Sequence, residues 1–207
     1  WSKATRIDSL TDRSGRSSDR TRARLMHDDS YLYLRFECEE QSLDDLKVVT
    51  REEEDKAYGK GNRRTHFLDR RESWGIDWGD YVEVLLSPDL SEADPYHAGS
   101  FQFMVNSDGV LLQRHYDSFG MFTVMPHPEW DSGTKVKVDK NREDNRWAVE
   151  LTIPFSALCG PGQVPGRWGL NLHRCVSGDN ARATDSAWIW KNHQKGKLSQ
   201  GNELNLF

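Results

Sequence analysis

Hydrophobic and polar residues alternate along most of the chain with a period of two. In residues 31–37 (YLYLRFE), the two leucines and the phenylalanine fall on one face, and the tyrosines and charged residues fall on the other. This spacing is typical of a strand with one buried face. The short polar residues 28–30 (DDS) can bond to their own backbone, which predicts a turn. The run Thr21–Met26 then forms the first arm of a hairpin.

The same alternation predicts a series of further strands. They cover residues 80–86, 100–106, 110–116, 135–138, 146–153 and 167–175. Pro154 can open one short helical turn over Phe155–Leu158, and no segment has the pattern of a long amphipathic helix. Many short strands with turn residues between them indicate an all-β fold. We expect a two-sheet antiparallel β-sandwich, jelly-roll or immunoglobulin-like, with few short helical turns.

One segment interrupts this pattern. Residues 41 to about 76 are dense in charge and poor in apolar side chains. A connection of this length within one domain is either a solvated insertion or a functional loop. The length of 207 residues suits one all-β domain. We therefore predict a single domain over residues 1–207 with a charged insertion at about 41–76.

Composition removes several classes of function. The net charge of −5 argues against binding to nucleic acid, which needs a basic surface to neutralise phosphates. No apolar run is long enough to predict a membrane span. The three cysteines lack metal-ligand spacing, and Cys38 falls at an apolar strand position, which predicts a buried inert thiol. The eight tryptophans exceed what a core needs and favour an exposed stacking surface.

The strand pattern brings several polar residues together. If the strands at 80–86, 100–106 and 167–175 lie in one sheet, one face carries Glu83, Gln102, Met104, Asn171 and His173. Carboxylate, amide and imidazole groups bond to sugar hydroxyls, and the rings of Trp78, Trp188 or Trp190 can stack on a sugar. The alternative is that these are ordinary solvent-facing residues of an antiparallel sheet.

Catalytic and metal patterns are weak. The chain has no nucleophile elbow, zinc-protease helix or phosphate loop. Asp80 and Glu83 are three residues apart on a strand and point to opposite faces, so they cannot flank one glycosidic bond. His27 beside two aspartates could bind a metal, but the turn explains the same residues. We predict no enzyme activity and no certain cofactor; a structural calcium ion stays open, although no loop has regular ligand spacing.

Six short motifs in order carry a family resemblance. They are Trp1…Ala4, residues 23–37, Gly79–Val84, Phe103–Gly109, Trp147–Pro154 and Gly169–Arg174. The chain resembles the family 9 carbohydrate-binding modules and their relatives in the DOMON-like β-sandwich superfamily. The resemblance spans nearly the whole chain except the charged insertion and the last twenty or so residues.

The resemblance implies a sugar held between two tryptophans and bonded by polar residues of the adjacent sheet. Glu83 matches the strand glutamate of the family, and Trp78 stands one position from its first tryptophan. Met104 replaces an arginine, His173 replaces a glutamine, and Trp190 could substitute for the second tryptophan. The predicted carbohydrate-binding residues are Trp78, Glu83, Gln102, Asn171, His173 and Trp190.

The resemblance also implies a setting and two competing functions. We expect a bacterial protein that is secreted, periplasmic or on the cell surface, with a glycoside hydrolase or polysaccharide lyase as a candidate partner. Some DOMON-like domains bind haem, and Met104 and His173 fall on one predicted face as an axial pair for electron transfer. The third alternative is a structural or docking module that binds no ligand.

Overall fold

The chain folds into two layers of antiparallel strands. The computed structural model describes residues 1–12, 17–18, 20–48, 50, 52, 79–87, 98–119, 123–126, 130–159, 167–176, 186–189 and 203–205. The strands are β1 Thr5–Ile7, β2 Leu10–Asp12, β3 Ser17–Ser18, β4 Thr21–His27, β5 Tyr31–Glu39, β6 Tyr81–Ser87, β7 Phe101–Asn106, β8 Leu111–Phe119, β9 Thr123–Pro126, β10 Lys135–Asn141, β11 Arg146–Pro154, β12 Arg167–Cys175, β13 Ser186–Ile189 and β14 Glu203–Asn205. A 3₁₀ turn covers Leu43–Asp45, and the short helix α1 covers Phe155–Leu158.

Within the described residues the strands form two sheets. Five strands in the order β1-β4-β5-β11-β10 make the small sheet, and nine make the large sheet. The large sheet has the order β3-β2-β13-β12-β6-β7-β8-β9, with β14 paired to β12. Neighbouring strands are antiparallel throughout both sheets. The predicted antiparallel β-sandwich is confirmed.

The core lies between the sheets and is built by the alternation in the sequence. From β5 of the small sheet it receives Leu34 and Phe36, and from the large sheet it receives Val84, Phe103 and Leu170 as fully buried side chains. Each such side chain contributes roughly 1.5–3 kcal/mol on burial. Leu34 and Phe36 lie on the face that alternation predicts as buried, and the other three lie on the side opposite the predicted polar face, so the predicted orientation of these strands is correct.

The turn predicted before β5 is confirmed by its hydrogen bonds. Oδ1 of Asp28 accepts from the backbone N–H groups of Ser30 and Tyr31, both at 2.8 Å. The hydroxyl of Tyr33 donates to Oδ2 of the same carboxylate, also at 2.8 Å. The N–H of Ser30, followed by the Tyr33 hydroxyl, lowers the pKa of Asp28. Asp28 therefore acts as a turn residue that ties β4 to β5.

A buried ion pair links the two sheets. The guanidinium of Arg174, on β12, donates to the carboxylate of Glu40 beyond β5 and to the hydroxyl of Thr21 on β4 at 2.9 Å. The indole N–H of Trp147, on β11, donates to the same Glu40 carboxylate at 2.7 Å. These contacts pair a charge that would otherwise be costly between the layers. Cys38 lies beside this network, and burial raises the pKa of its thiol to about 12, as an inert thiol requires.

Short strands account for most of what the sequence pattern missed. The predicted strands and the helical turn after Pro154 are present, extended by one to three residues at several ends. The strands β1, β2, β3, β9, β13 and β14 have at most four residues each, too few to show an alternation. The charged insertion lies largely outside the described residues, and the single-domain assignment stays a prediction. Among the residues the structure describes, none belongs to a helix long and apolar enough to cross a membrane.

Candidate functional site

The outer face of the large sheet brings the predicted polar residues together. In the register of β6 with its neighbours, Glu83 lies opposite His173 on β12 and Met104 on β7. Two residues further along β6, Leu85 lies between Asn171 on β12 and Gln102 on β7. The prediction that these side chains share one face is therefore correct, because antiparallel neighbours in register point the same way.

A chain of hydrogen bonds runs across this face, which we call the Glu83 relay. One carboxylate oxygen of Glu83 accepts from the amide Nε2 of Gln102, and the other is 2.8 Å from Nδ1 of His173. Oε1 of Gln102 accepts from the Arg114 guanidinium at 3.0 Å and from the Tyr116 hydroxyl at 2.8 Å. Four adjacent strands, β12, β6, β7 and β8, thus contribute one connected set of donors and acceptors.

The relay is buried rather than solvent-facing. Glu83 is 3% exposed, Gln102 4% and Asn171 1%, whereas the side chain of His173 keeps 20% of its surface. Ordinary outward residues of an antiparallel sheet are wetter, so that alternative is wrong for these positions. Burial of polar groups costs free energy unless they are hydrogen-bonded. The bonds of the relay meet this condition.

Electrostatics keep Glu83 ionised. Its burial alone would raise the pKa of the carboxyl group. The hydrogen bond and charge of His173, the amide of Gln102 and the charge of Arg114 act in the opposite direction and hold the pKa below its usual value. A carboxylate is the acceptor in this arrangement, so the proton of the imidazole lies on Nδ1. The face therefore offers a fixed anion held between an amide N–H donor and an imidazole N–H donor.

Apolar side chains adjoin the relay. Met104 is buried and packs against Leu112 of β8 and Tyr81 of β6. As candidate haem ligands, Met104 and His173 are separated by the intervening strand β6, a spacing of about 9.5 Å. Met104 has an apolar environment and His173 has a carboxylate partner. Both contacts explain these residues without a cofactor, and the haem alternative stays a sequence-based prediction.

Two of the predicted site residues lie outside the described residues. Trp78 and Trp190, proposed as stacking rings, are both in this group, and Trp188 is described only by its backbone pairing with Leu172. In the part of the chain that the structure describes, no group of three or more His, Cys, Asp or Glu side chains could hold a metal ion. A structural calcium ion stays a sequence-based expectation, because backbone and amide oxygens can also bind calcium.

Arg114 and Tyr116 were not singled out from the sequence, although both fall within a predicted strand. Residues 111–116 read LLQRHY, where polar residues occupy both faces and no alternation marks the inner one. The register settles the question, since Gln102 lies opposite Arg114 and Met104 opposite Leu112. The sequence signal that could have identified Arg114 and Tyr116 is the turn at Ser107–Gly109, because its geometry sets which residues of β7 and β8 face each other.

Solved structures, rather than sequence comparisons, identify the fold of this chain. No family model and no curated protein matches the sequence. A family 9 carbohydrate-binding module from Caldicellulosiruptor kristjanssonii, solved with cellotriose, superposes with a TM-score of 0.59 at 14% identity, over 99% of this chain and 83% of that one. The chain has the fold of the family 9 modules. This likeness confirms the resemblance at the level of architecture.

Two further solved structures agree with this fold. A family 9 module from the same organism, solved in complex with glucose, gives a TM-score of 0.57 at 15% identity, over 99% of this chain and 85% of that one. A Bacteroides uniformis protein, provisionally described as carbohydrate-binding, gives 0.58 at 15% identity, over 95% of this chain and 80% of that one. At these identities the shared property is the sandwich, and the role of the outer face follows from its own chemistry.

Proposed function

We propose that this chain is a non-catalytic carbohydrate-binding domain whose ligand lies on the outer face of the large sheet. The observation that supports it is the Glu83 relay, because a connected set of carboxylate, amide, imidazole, guanidinium and phenol groups matches the paired donors and acceptors of sugar hydroxyls. Two of the structural neighbours were solved with cellotriose and with glucose, which makes β-linked glucose oligomers the first ligands to try.

The proposal assigns roles along the face. His173, which is only partly buried, contacts the hydroxyl groups, and Glu83, itself held by Gln102, fixes the imidazole from below. Asn171 lies on the same face beside His173, so it belongs to the same site. Trp78 and Trp190 are proposed as stacking rings on the sequence pattern and the family resemblance alone.

The positions of Asp80 and Glu83 support a role without catalysis. A glycosidase needs two carboxyl groups that converge on one bond. Asp80 accepts a hydrogen bond from the backbone N–H of Lys47, whereas Glu83 lies on the outer face and bonds Gln102 and His173. Catalysis would then reside in a partner, such as a glycoside hydrolase or lyase, and a secreted, periplasmic or cell-surface location would suit that setting.

The first test is glycan binding by the wild-type chain and its Trp78→Ala variant. Titration calorimetry with glucose, cellotriose and oligomers of xylose, mannose and galactose should find one class that binds. Loss of the Trp78 ring should then reduce the affinity by a factor of about ten or more, as the loss of an aromatic anchor does. Trp190→Ala should act in the same direction.

A matched control is Trp1→Ala. Trp1 belongs to the opposite side of the sandwich, where its indole N–H donates to Glu150 at 3.2 Å. It should leave glycan affinity unchanged. Carbohydrate binding by this face is wrong if no glycan of the panel binds, and the stacking assignment is wrong if Trp78→Ala and Trp1→Ala bind equally well. A haem domain would instead show a Soret band after reconstitution.

A further inference from the structure

Strand β8 supplies two donors that determine the geometry of the Glu83 relay. The hydroxyl of Tyr116 and the guanidinium of Arg114 both donate to Oε1 of Gln102, at 2.8 Å and 3.0 Å. Tyr116 is buried at 3% exposure, so this bond forms away from bulk water. A hydrogen bond is stronger and more directional in such surroundings than at a wet surface.

These two donors fix the orientation of the Gln102 amide. An amide that accepts two hydrogen bonds at its oxygen must direct its NH₂ group to the other side. On that side lies the carboxylate of Glu83, which accepts from Nε2. The flipped amide would place NH₂ against two donors and a carbonyl oxygen against a carboxylate, so the network selects one orientation.

We propose that Tyr116 and Arg114 are positioning residues of the carbohydrate site, which hold Glu83 in place through Gln102. This inference rests on the proposed function and gives the two donors of strand β8 a positioning role in it. With Gln102 fixed on one oxygen and His173 on the other, the Glu83 carboxylate has one orientation before any ligand arrives. Such preorganisation raises affinity because less ordering is needed on binding.

The test variant is Tyr116→Phe, which removes one hydroxyl and keeps the ring. Glycan affinity should fall roughly three- to tenfold, the effect of one lost hydrogen bond. The matched control is Tyr33→Phe, because the Tyr33 hydroxyl also donates to a side-chain oxygen at 2.8 Å, that of Asp28, between two strands of the small sheet. Tyr33→Phe should bind glycan like the wild type.

A second measurement does not need a ligand. The pKa of Glu83 can be followed by NMR of its side-chain carboxyl carbon, with the resonance assigned by Glu83→Gln. Among the described residues, the ionisable groups of the relay that face Glu83 are His173 from β12 and Arg114 and Tyr116 from β8. In Tyr116→Phe the pKa of Glu83 should rise, because a Gln102 amide that can turn donates less to the carboxylate.

Arg114→Met provides a second variant should Tyr116→Phe alter the fold. It removes the other donor to Gln102 together with a cation that stabilises ionised Glu83, so the pKa of Glu83 should rise further. A circular dichroism melt establishes that each variant is folded before it is titrated.

The outcomes separate this inference from the proposed function. Weaker glycan binding together with a raised pKa of Glu83 in Tyr116→Phe supports both. A raised pKa in a chain that binds no glycan supports the relay and overturns carbohydrate binding. If Tyr116→Phe matches Tyr33→Phe in glycan affinity and in the pKa of Glu83, Tyr116 and Arg114 position nothing and the inference is wrong.

Discussion

The two outer faces of the sandwich use the same residue types in opposite ways. On the small sheet, Arg35 donates to both Glu37 and Glu150, and the Arg35 and Glu150 side chains each keep 25% of their surface exposed. On the large sheet, the Glu83 side chain keeps 5% of its surface exposed, with Gln102 bonded to one carboxylate oxygen and His173 to the other. The charged groups on the small sheet can exchange partners in water, whereas those on the large sheet keep one arrangement.

This difference indicates which face can support recognition. Exposed ion pairs are screened by salt and contribute little to stability, so their geometry is loosely held. Buried polar groups must stay bonded, and a network that satisfies them also fixes their directions. A ligand that bonds to the large sheet meets groups already oriented by the fold, so this face is better suited to recognition than the small sheet.

The largest loss of stability is expected when the buried ion pair between the two sheets is broken. Arg174→Met leaves Glu40 without its charged partner in a nearly buried position. The free energy of unfolding should fall by about 3–5 kcal/mol, the cost of removing one member of a buried pair. Urea denaturation followed by tryptophan fluorescence measures this change.

The control for this prediction is Arg22→Met. Arg22 also pairs with a glutamate, Glu39 at 3.7 Å, but its side chain is 43% exposed. The unfolding free energy should change by at most about 1 kcal/mol. If Arg22→Met and Arg174→Met prove equally destabilising, burial does not determine the strength of these pairs and the comparison fails.

An intermediate effect is expected at Glu83, and it depends on pH. Glu83→Gln places an amide NH₂ against the donors of Gln102 or His173, so the unfolding free energy at pH 7 should fall by about 1–3 kcal/mol. The pKa of Glu83 is lowered in the folded state from a usual value of 4.5. Its ionised form therefore stabilises the fold above that value, and the contribution disappears as the pH falls through the folded-state pKa.

Unfolding measured from neutral to acidic pH tests this sign. The difference in stability between the wild type and Glu83→Gln should shrink as the pH falls below about 4.5. A difference that grew toward acid would show that burial outweighs the hydrogen bonds and raises the pKa of Glu83. Asp28, whose pKa is also lowered, is present in both proteins and cancels in the comparison.

The sequence predicted the fold well because the fold depends on a repeated signal. Strands of seven to nine residues such as β5 and β11 show several periods of alternation, and their faces followed from it. The same rule placed Glu83, Gln102 and His173 on one face. Alternation could not predict their burial, because the pattern of an outward-facing residue is the same whether water or other parts of the chain cover it.

The bonds within the site were beyond sequence reasoning for a related reason. Tyr116 reaches Gln102 from the next strand, and Arg174 reaches Glu40 across the core, over 14 and 134 positions of the chain. Such contacts depend on strand register and on the order of strands in the sheet, and neither follows from local composition. Alternation distinguishes two faces of a strand, but long-range register decides which side chains meet.

The smallest effect is expected on the small sheet, at Glu150→Gln. Glu150 accepts from Arg35 and from the indole of Trp1, and its side chain is one-quarter exposed. Water and Glu37 can replace the bond that Arg35 loses, so the unfolding free energy should fall by about 0–1 kcal/mol. The small loss should decrease further in 1 M salt, since partly exposed charges are screened there. Urea denaturation at low and high salt, run beside Glu83→Gln, measures both. A Glu150→Gln variant that lost as much stability as Glu83→Gln, with no response to salt, would show that the two faces hold their charges in the same way.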